Sequence, residues 1–91
     1  MIRTFGTKET ERLCQRKRVA RFQSCERAAL RRLVFLNQIR SLDDLKSPGY
    51  RLEALKGSRR GQYSIRINDQ WRVCFRWEDG DPYKVEIVDY H

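Results

Sequence analysis

The chain has 91 residues, with 20 Lys and Arg against 12 Asp and Glu and a net charge of +8. This length suits one small domain, residues 1–91, with a modest hydrophobic core. No apolar run approaches the roughly 20 residues that a transmembrane helix needs, which argues against a membrane-spanning protein. Because the N-terminus has no apolar signal core, we expect a cytoplasmic protein with no membrane partner.

The cysteine and histidine content argues against a metal centre and a disulfide framework. The three cysteines, Cys14, Cys25 and Cys74, show no CxxC spacing, and the chain has one histidine. Scattered carboxylates around a single imidazole make a poor metal site. We therefore expect small buried or half-buried thiols, no bound metal and no cofactor.

The excess positive charge lies in the N-terminal part of the chain. Residues 1–40 contain eleven Lys and Arg against three Glu, whereas residues 41–91 contain nine basic and nine acidic residues. Such a segment attracts an acidic partner, which can be RNA, DNA or an acidic protein. The densest cluster, Arg16, Lys17 and Arg18, is either a solvated helix end or a patch that contacts phosphates or a protein partner.

The N-terminal half is predicted to form a short strand followed by two helices. Ile2–Phe5 is typical of a strand, and Thr7 can cap a helix over Lys8–Gln15. The longest helix is expected at about Cys25–Arg40, with Ser24 as its N-cap. Its apolar residues follow the spacing of a helix that faces a core. They include Ala29, Leu33 and Leu36.

The C-terminal half is predicted to form four strands after Pro48-Gly49 ends helical structure. The expected strands are Tyr50–Lys56, Gln62–Ile67, Trp71–Trp77 and Tyr83–Tyr90. Strands this close in sequence pair mostly antiparallel. The sequence therefore predicts an α+β fold, in which two N-terminal helices pack on one face of a mostly antiparallel sheet of about four to five strands.

Alternation along the strands predicts one covered and one open sheet face. The covered face is aromatic and β-branched, with Trp71, Val73 and Phe75 on one strand and Tyr83 and Val85 on another. The open face is predicted to carry the four basic residues Arg66, Arg72, Arg76 and Lys84. These cations either form an ordinary solvated surface or bind RNA.

The chain ends in three polar residues, Asp89, Tyr90 and His91, at the end of the last predicted strand. Strict alternation places Tyr90 on the open face and its two neighbours behind it, unless a bulge near Val88 or a fraying strand end brings Asp89 or His91 to the open face. A histidine and a carboxylate beside several cations suit cleavage of an RNA backbone. In that reaction a base removes the 2′-hydroxyl proton, an acid protonates the leaving 5′-oxygen, and cations stabilise the phosphorane.

The C-terminal half resembles the HigB-type toxins of the RelE/ParE superfamily. The resemblance is densest in three segments, Pro48–Gly57, Tyr63–Trp77 and Val88–His91, and extends loosely over the rest of the chain. It implies a toxin of a type II toxin-antitoxin system that cleaves messenger RNA on the ribosome. It also implies a helix-turn-helix antitoxin from the same operon. The toxin would then contact operator DNA only through this antitoxin.

The same resemblance implies which residues form the active site. It maps catalytic roles onto Asp89, Tyr90 and His91, and onto Lys56 and Arg72. Several relatives carry a catalytic histidine where this chain has Glu53, which can act as a base. These six residues are our candidate catalytic set. The acid and base can be His91 with Glu53, His91 with Asp89, or another pair, and the sequence leaves this choice open.

A second interpretation is a non-enzymatic toxin, or a nucleic-acid module active only with its antitoxin. The non-enzymatic toxin would inhibit a protein target, as the ParE branch of the superfamily does. The basic N-terminal half would then carry the activity, and the C-terminal triplet would be inert.

Overall fold

Residues 1–89 are described by a computed structural model of the chain, in which two helices precede four strands. The helices are α1 (Lys8–Cys14) and α2 (Glu26–Gln38); the strands are β1 (Glu53–Ala54), β2 (Tyr63–Arg66), β3 (Trp71–Glu78) and β4 (Asp81–Asp89). Short 3-10 turns lie at Ala20–Phe22, Leu42–Leu45, Pro48–Tyr50 and Gly57–Arg59. Neither helix in this range is long and apolar enough to cross a membrane.

The strands form one antiparallel sheet in the order β1-β2-β3-β4. Each strand pairs with the next along the chain because the connections are short. Both helices pack on the sheet face that carries Val73 and Phe75, and α2 buries Ala29, Leu33 and Leu36 in this core. The predicted α+β class, the helix stripe and the meander are therefore confirmed.

Side-chain capping explains the start of α1 but not the start of α2. Thr7 accepts a hydrogen bond from the Thr10 backbone N–H and caps α1, as its sequence position predicts. The predicted Ser24 cap is wrong, since α2 begins after Cys25, which makes no side-chain cap. Glu26 lies in the first turn of α2, where its negative charge interacts favourably with the helix dipole.

Two predicted strands are shorter than expected. Ile2–Phe5 forms only a single parallel bridge, between Phe5 and Val85, with Gly6 N–H donating to the Val85 carbonyl at 2.8 Å. Tyr50–Lys56 is reduced to the two residues of β1, because Pro48–Tyr50 winds into a 3-10 turn instead of ending helical structure. Arg51 then adopts a left-handed conformation (φ 47°), which interrupts an extended strand.

A bulge in β4 changes which residues share a face. The register shifts between Cys74 and Arg76, opposite Val85 and Lys84, and Lys84 has φ 52°. Beyond the shift Tyr83 pairs with Arg76, so its predicted place on the covered face is wrong. The suggested bulge at Val88 is also wrong, since Val88 pairs in register with Arg72.

The Thr10 hydroxyl is buried between α1 and β4 and accepts a hydrogen bond from the Ile87 N–H at 3.0 Å. Thr10→Val keeps the side-chain shape but leaves this buried N–H unsatisfied, so we expect a loss of about 1–3 kcal/mol in the free energy of unfolding. Urea denaturation measures this loss. The matched control is Thr4→Val, whose hydroxyl accepts from the exposed Lys84 N–H. Water can replace that acceptor, and equal losses in the two variants would contradict the assignment.

Candidate active site

A cleft of about 590 Å³ lies on the sheet face opposite the helices. The segment that follows β1 folds over this face and forms one wall, and the end of β4 forms the other. The lining residues are Glu53, Ala54, Leu55, Lys56, Ser58, Arg59, Cys74, Val88 and Asp89. Three of the predicted catalytic residues, Glu53, Lys56 and Asp89, therefore surround one space.

The sheet register explains how charges reach this cleft. Glu53 pairs with Ser64, Ser64 with Cys74, and Cys74 with Glu86, so these four residues form one row across the four strands. Residues in such a row point to the same face of an antiparallel sheet. The row therefore has a carboxylate at each end, and each carboxylate pairs with an arginine.

Arg72 is the arginine under Glu53, and it is buried, with 5% of its surface exposed. Its Nε donates to Ser64 Oγ at 2.8 Å, and its Nη2 donates to the Arg51 carbonyl at 2.6 Å. Its Nη1 lies 3.6 Å from Glu53 Oε1. The prediction that Arg72 lies on an open face is wrong, because the segment after the Pro48–Tyr50 turn covers it.

Glu53 presents its carboxylate to the cleft from the edge strand β1. Its side chain is 49% exposed and is oriented by the Arg72 guanidinium. Lys56 follows three residues later and is exposed at the same wall. A carboxylate and an ammonium group on one short segment can act on one ligand from the same side.

Arg59 and Glu86 belong to this cleft, although sequence analysis did not select them. Arg59 Nη1 lies 2.5 Å from Glu86 Oε1 and also donates to Gln62 Oε1 at 3.2 Å. The hydrogen bond to Glu86 raises the pKa of the Arg59 guanidinium, which stays charged. The two residues are separated by 27 positions. The sequence signal was indirect, since the same alternation that predicts an open-face position for Lys84 also predicts one for Glu86.

Asp89 ends β4 opposite Trp71 and is exposed at the cleft. Gln70 Nε2 donates to Asp89 Oδ2 at 3.2 Å. Tyr90 and His91, the other two members of the C-terminal triplet, lie outside the described residues. Their candidate catalytic roles therefore remain predictions.

The other predicted RNA-binding residues do not line this cleft. Arg66 pairs with Asp69, Lys84 is exposed in the β4 bulge, and Arg76 lies beside Gly61. Arg16, Lys17 and Arg18 follow α1 and are exposed; Arg16 borders α2. The basic residues therefore divide between two surfaces.

Cys74 is buried at the floor of the cleft. Burial raises the pKa of its thiol, although the nearby Arg59 guanidinium opposes this effect. A protonated thiol is a weak nucleophile. Within residues 1–89, no group of three His, Cys, Asp or Glu side chains is arranged to hold a metal ion.

Comparison with known proteins identifies the family. Residues 3–91 match the model of a family described as the RelE-like toxin of the type II toxin-antitoxin system HigB. The chain belongs to the HigB-like toxins. Among its relatives, toxin HigB-1 of Vibrio cholerae serotype O1 is 41% identical over 69 residues, which cover 67% of this chain and 73% of the relative. Endoribonuclease HigB of Proteus vulgaris is 35% identical over 60 residues, covering 66% and 65% respectively.

Solved structures with the same fold include the toxin-antitoxin complex YoeB-YefM and the YoeB dimer, both from Staphylococcus aureus. The complex aligns with a TM-score of 0.63 and 24% identity over 100% of this chain and 95% of the other. The dimer aligns with a TM-score of 0.59 and 22% identity over 99% and 94%. Because both identities are below 25%, the likeness to these structures shows a shared fold and nothing more.

Arg72→Lys tests how the cleft of this HigB-like toxin is held together. A lysine keeps the charge but cannot reproduce the planar fork that joins Ser64, Arg51 and Glu53. We expect a loss of about 1–3 kcal/mol in the free energy of unfolding, measured by urea denaturation. Arg76→Lys on the same strand is the control, since the Arg76 side chain makes no hydrogen bond within residues 1–89. A loss no larger than that of the control would contradict this role.

Proposed function

We propose that this HigB-like toxin is an endoribonuclease that cleaves messenger RNA on the ribosome. The observation that carries the proposal is one cleft that brings Glu53, Lys56, Arg59 and Asp89 together above the buried Arg72. The family match and the relative named endoribonuclease HigB support the same activity. The match over residues 3–91 also supports a single toxin domain.

In the proposed reaction a carboxylate of the cleft acts as the general base. In this proposal Glu53 removes the proton of a 2′-hydroxyl, and the 2′-oxygen then attacks the adjacent phosphorus. The P–O5′ bond breaks, and His91 protonates the leaving 5′-oxygen. Asp89 is the alternative base, since its carboxylate also lines the cleft and it directly precedes Tyr90 and His91 in the sequence. Tyr90 orients the phosphate or stacks on a base.

Cations of the cleft stabilise the charge that develops on the phosphorane. Lys56 and Arg59 reach the cleft as side chains, and Arg72 orients Glu53 from below. Fixed cations can provide this stabilisation without a metal ion. We therefore propose metal-independent cleavage, with Arg66, Arg76 and Lys84 contacting RNA outside the cleft.

The proposed partners follow from the same assignment. A toxin of this kind is neutralised by an antitoxin. We propose that this antitoxin is a helix-turn-helix protein from the same operon, and that the antitoxin, not the toxin, contacts operator DNA. The substrate is messenger RNA on the ribosome, where ribosomal phosphates attract a protein with a charge of +8. This assignment places the protein in the cytoplasm.

Glu53→Gln tests the base while keeping the size of the side chain. We expect RNA cleavage in a translation extract to fall by about 10²-fold or more, because the amide cannot accept the proton. The control is Glu78→Gln, at the exposed end of β3. Full activity of Glu53→Gln, with Asp89→Asn inactive, would transfer the role of base to Asp89.

His91→Ala separates an enzyme from a non-enzymatic toxin. We expect mapping of 5′ ends on cellular messenger RNA to show cuts in phase with codons for the wild type and none for the variant. Circular dichroism checks that the variant is folded. Two results together would favour a binding protein over an endoribonuclease. His91→Ala would inhibit growth as strongly as the wild type, and charge reversal of Lys17 and Arg18 would abolish growth inhibition.

A further inference from the structure

Helix α2 exposes an apolar ridge on the side that does not pack on the sheet. Val34 is 41% exposed, and within residues 1–89 only Met1 is another large hydrophobic residue exposed to this degree. A cleft of about 540 Å³ lies on one side of the ridge, between α2 and the Pro48–Tyr50 turn. A second cleft of about 340 Å³ lies on the other side, and both share Arg16, Leu30, Val34 and Gln38. We call this continuous surface the α2 groove.

Arginines border the apolar part of the α2 groove. Arg16, Arg27 and Arg31 are exposed, and none forms an ion pair with a carboxylate within residues 1–89. These charges therefore have no compensation inside this part of the protein. Isolated exposed arginines are ordinary, but cations along an exposed apolar ridge fit a partner that is apolar on one side and acidic on its rim.

The backbone at Arg16 gives a second, independent indication. Arg16 follows the C-terminus of α1 with φ 66°, a left-handed conformation that favours glycine. Its N–H donates to the Leu13 carbonyl, and the Lys17 N–H donates to the Arg12 carbonyl. An arginine in this position is less stable than a glycine would be, so the guanidinium at the groove is a candidate for a functional role.

We propose that the α2 groove docks an acidic amphipathic segment of the antitoxin. The proposal rests on the proposed toxin-antitoxin function and adds the surface and the chemistry of the contact. From Arg27 to Gln38 the helix rises about 16 Å, which accommodates roughly three turns of a partner helix. Apolar side chains of that segment contact Leu30 and Val34, and its carboxylates pair with the bordering arginines.

The aromatic rings at this groove favour a protein segment over RNA. Tyr50 and Phe35 are stacked at 5.1 Å with an interplanar angle of 4°, and the Arg32 guanidinium lies 4.6 Å from the Tyr50 ring centroid. The Tyr50 ring is therefore already engaged by two side chains of α2, which leaves it less available for stacking on a base. The bordering arginines can pair with a phosphate or with a carboxylate, whereas the aliphatic ridge between them can bury apolar side chains of a protein segment.

Calorimetry with the antitoxin encoded beside the toxin gene tests the surface. We expect Arg27→Glu/Arg31→Glu and, separately, Val34→Ser to weaken antitoxin binding by about tenfold or more. The matched control is Arg12→Glu/Arg40→Glu, which changes the net charge equally at exposed positions that do not line the α2 groove. Affinities of the groove variants within twofold of wild type would overturn the proposal, as would an equal loss in the control.

A single-stranded RNA oligonucleotide is the second probe, measured by fluorescence anisotropy. We expect Val34→Ser to bind this RNA like the wild type. Loss of RNA affinity in both groove variants with unchanged antitoxin affinity would assign the groove to nucleic acid and overturn the proposal. RNA cleavage by the groove variants should match the wild type. Absence of cleavage by the wild type itself would refute the proposed enzyme activity without affecting the docking result.

Arg16→Gly distinguishes a functional arginine from an incidental one. Glycine relieves the left-handed conformation, so we expect the Tm to rise, while removal of the guanidinium weakens antitoxin binding several-fold. Opposite changes in stability and affinity support the proposal. A higher Tm with unchanged affinity would overturn the role of Arg16 in docking.

Discussion

The buried guanidinium of Arg72 is the interaction on which the candidate active site depends. A charge in the interior is tolerated only when its donors are satisfied, and Arg72 donates to Ser64 on β2 and to the Arg51 carbonyl in the covering segment. Its ion pair with Glu53 then places a carboxylate at the mouth of the cleft. One side chain therefore fixes the sheet, the covering segment and the candidate base in a single arrangement.

The two surfaces of the protein use opposite sides of the sheet, yet they meet at one short segment. Tyr50 stacks on Phe35 of α2, and the next residue, Arg51, accepts the hydrogen bond from Arg72. An antitoxin segment bound along α2 would contact the protein next to Tyr50 without filling the cleft that Glu53 lines. Under the two proposals, the same positive chain keeps two acidic partners on separate surfaces, with RNA at the cleft and a protein segment at α2.

Much of the fold and part of the site could be predicted from local patterns. Periodicity located α2 and three of the strands, because an apolar stripe or an alternation records which side of an element is buried, and the Thr7 cap located α1. The resemblance to HigB-type toxins selected Glu53, Lys56 and Asp89, which the structure brings to one cleft. The pair formed by Arg59 and Glu86 could not be found this way, since it joins residues 27 positions apart.

The sequence by itself determined the order of elements, the α+β class and the concentration of charge in residues 1–40, because these follow from local composition and periodicity. Only the tertiary structure decided that Arg72 is buried, since alternation specifies a face but not what covers it. The bulge at Lys84 likewise reassigned Tyr83 to the other face, because one extra residue reverses the alternation beyond it. The division of the arginines between cleft and α2 groove arises from the packing of helices on one face and a covering segment on the other.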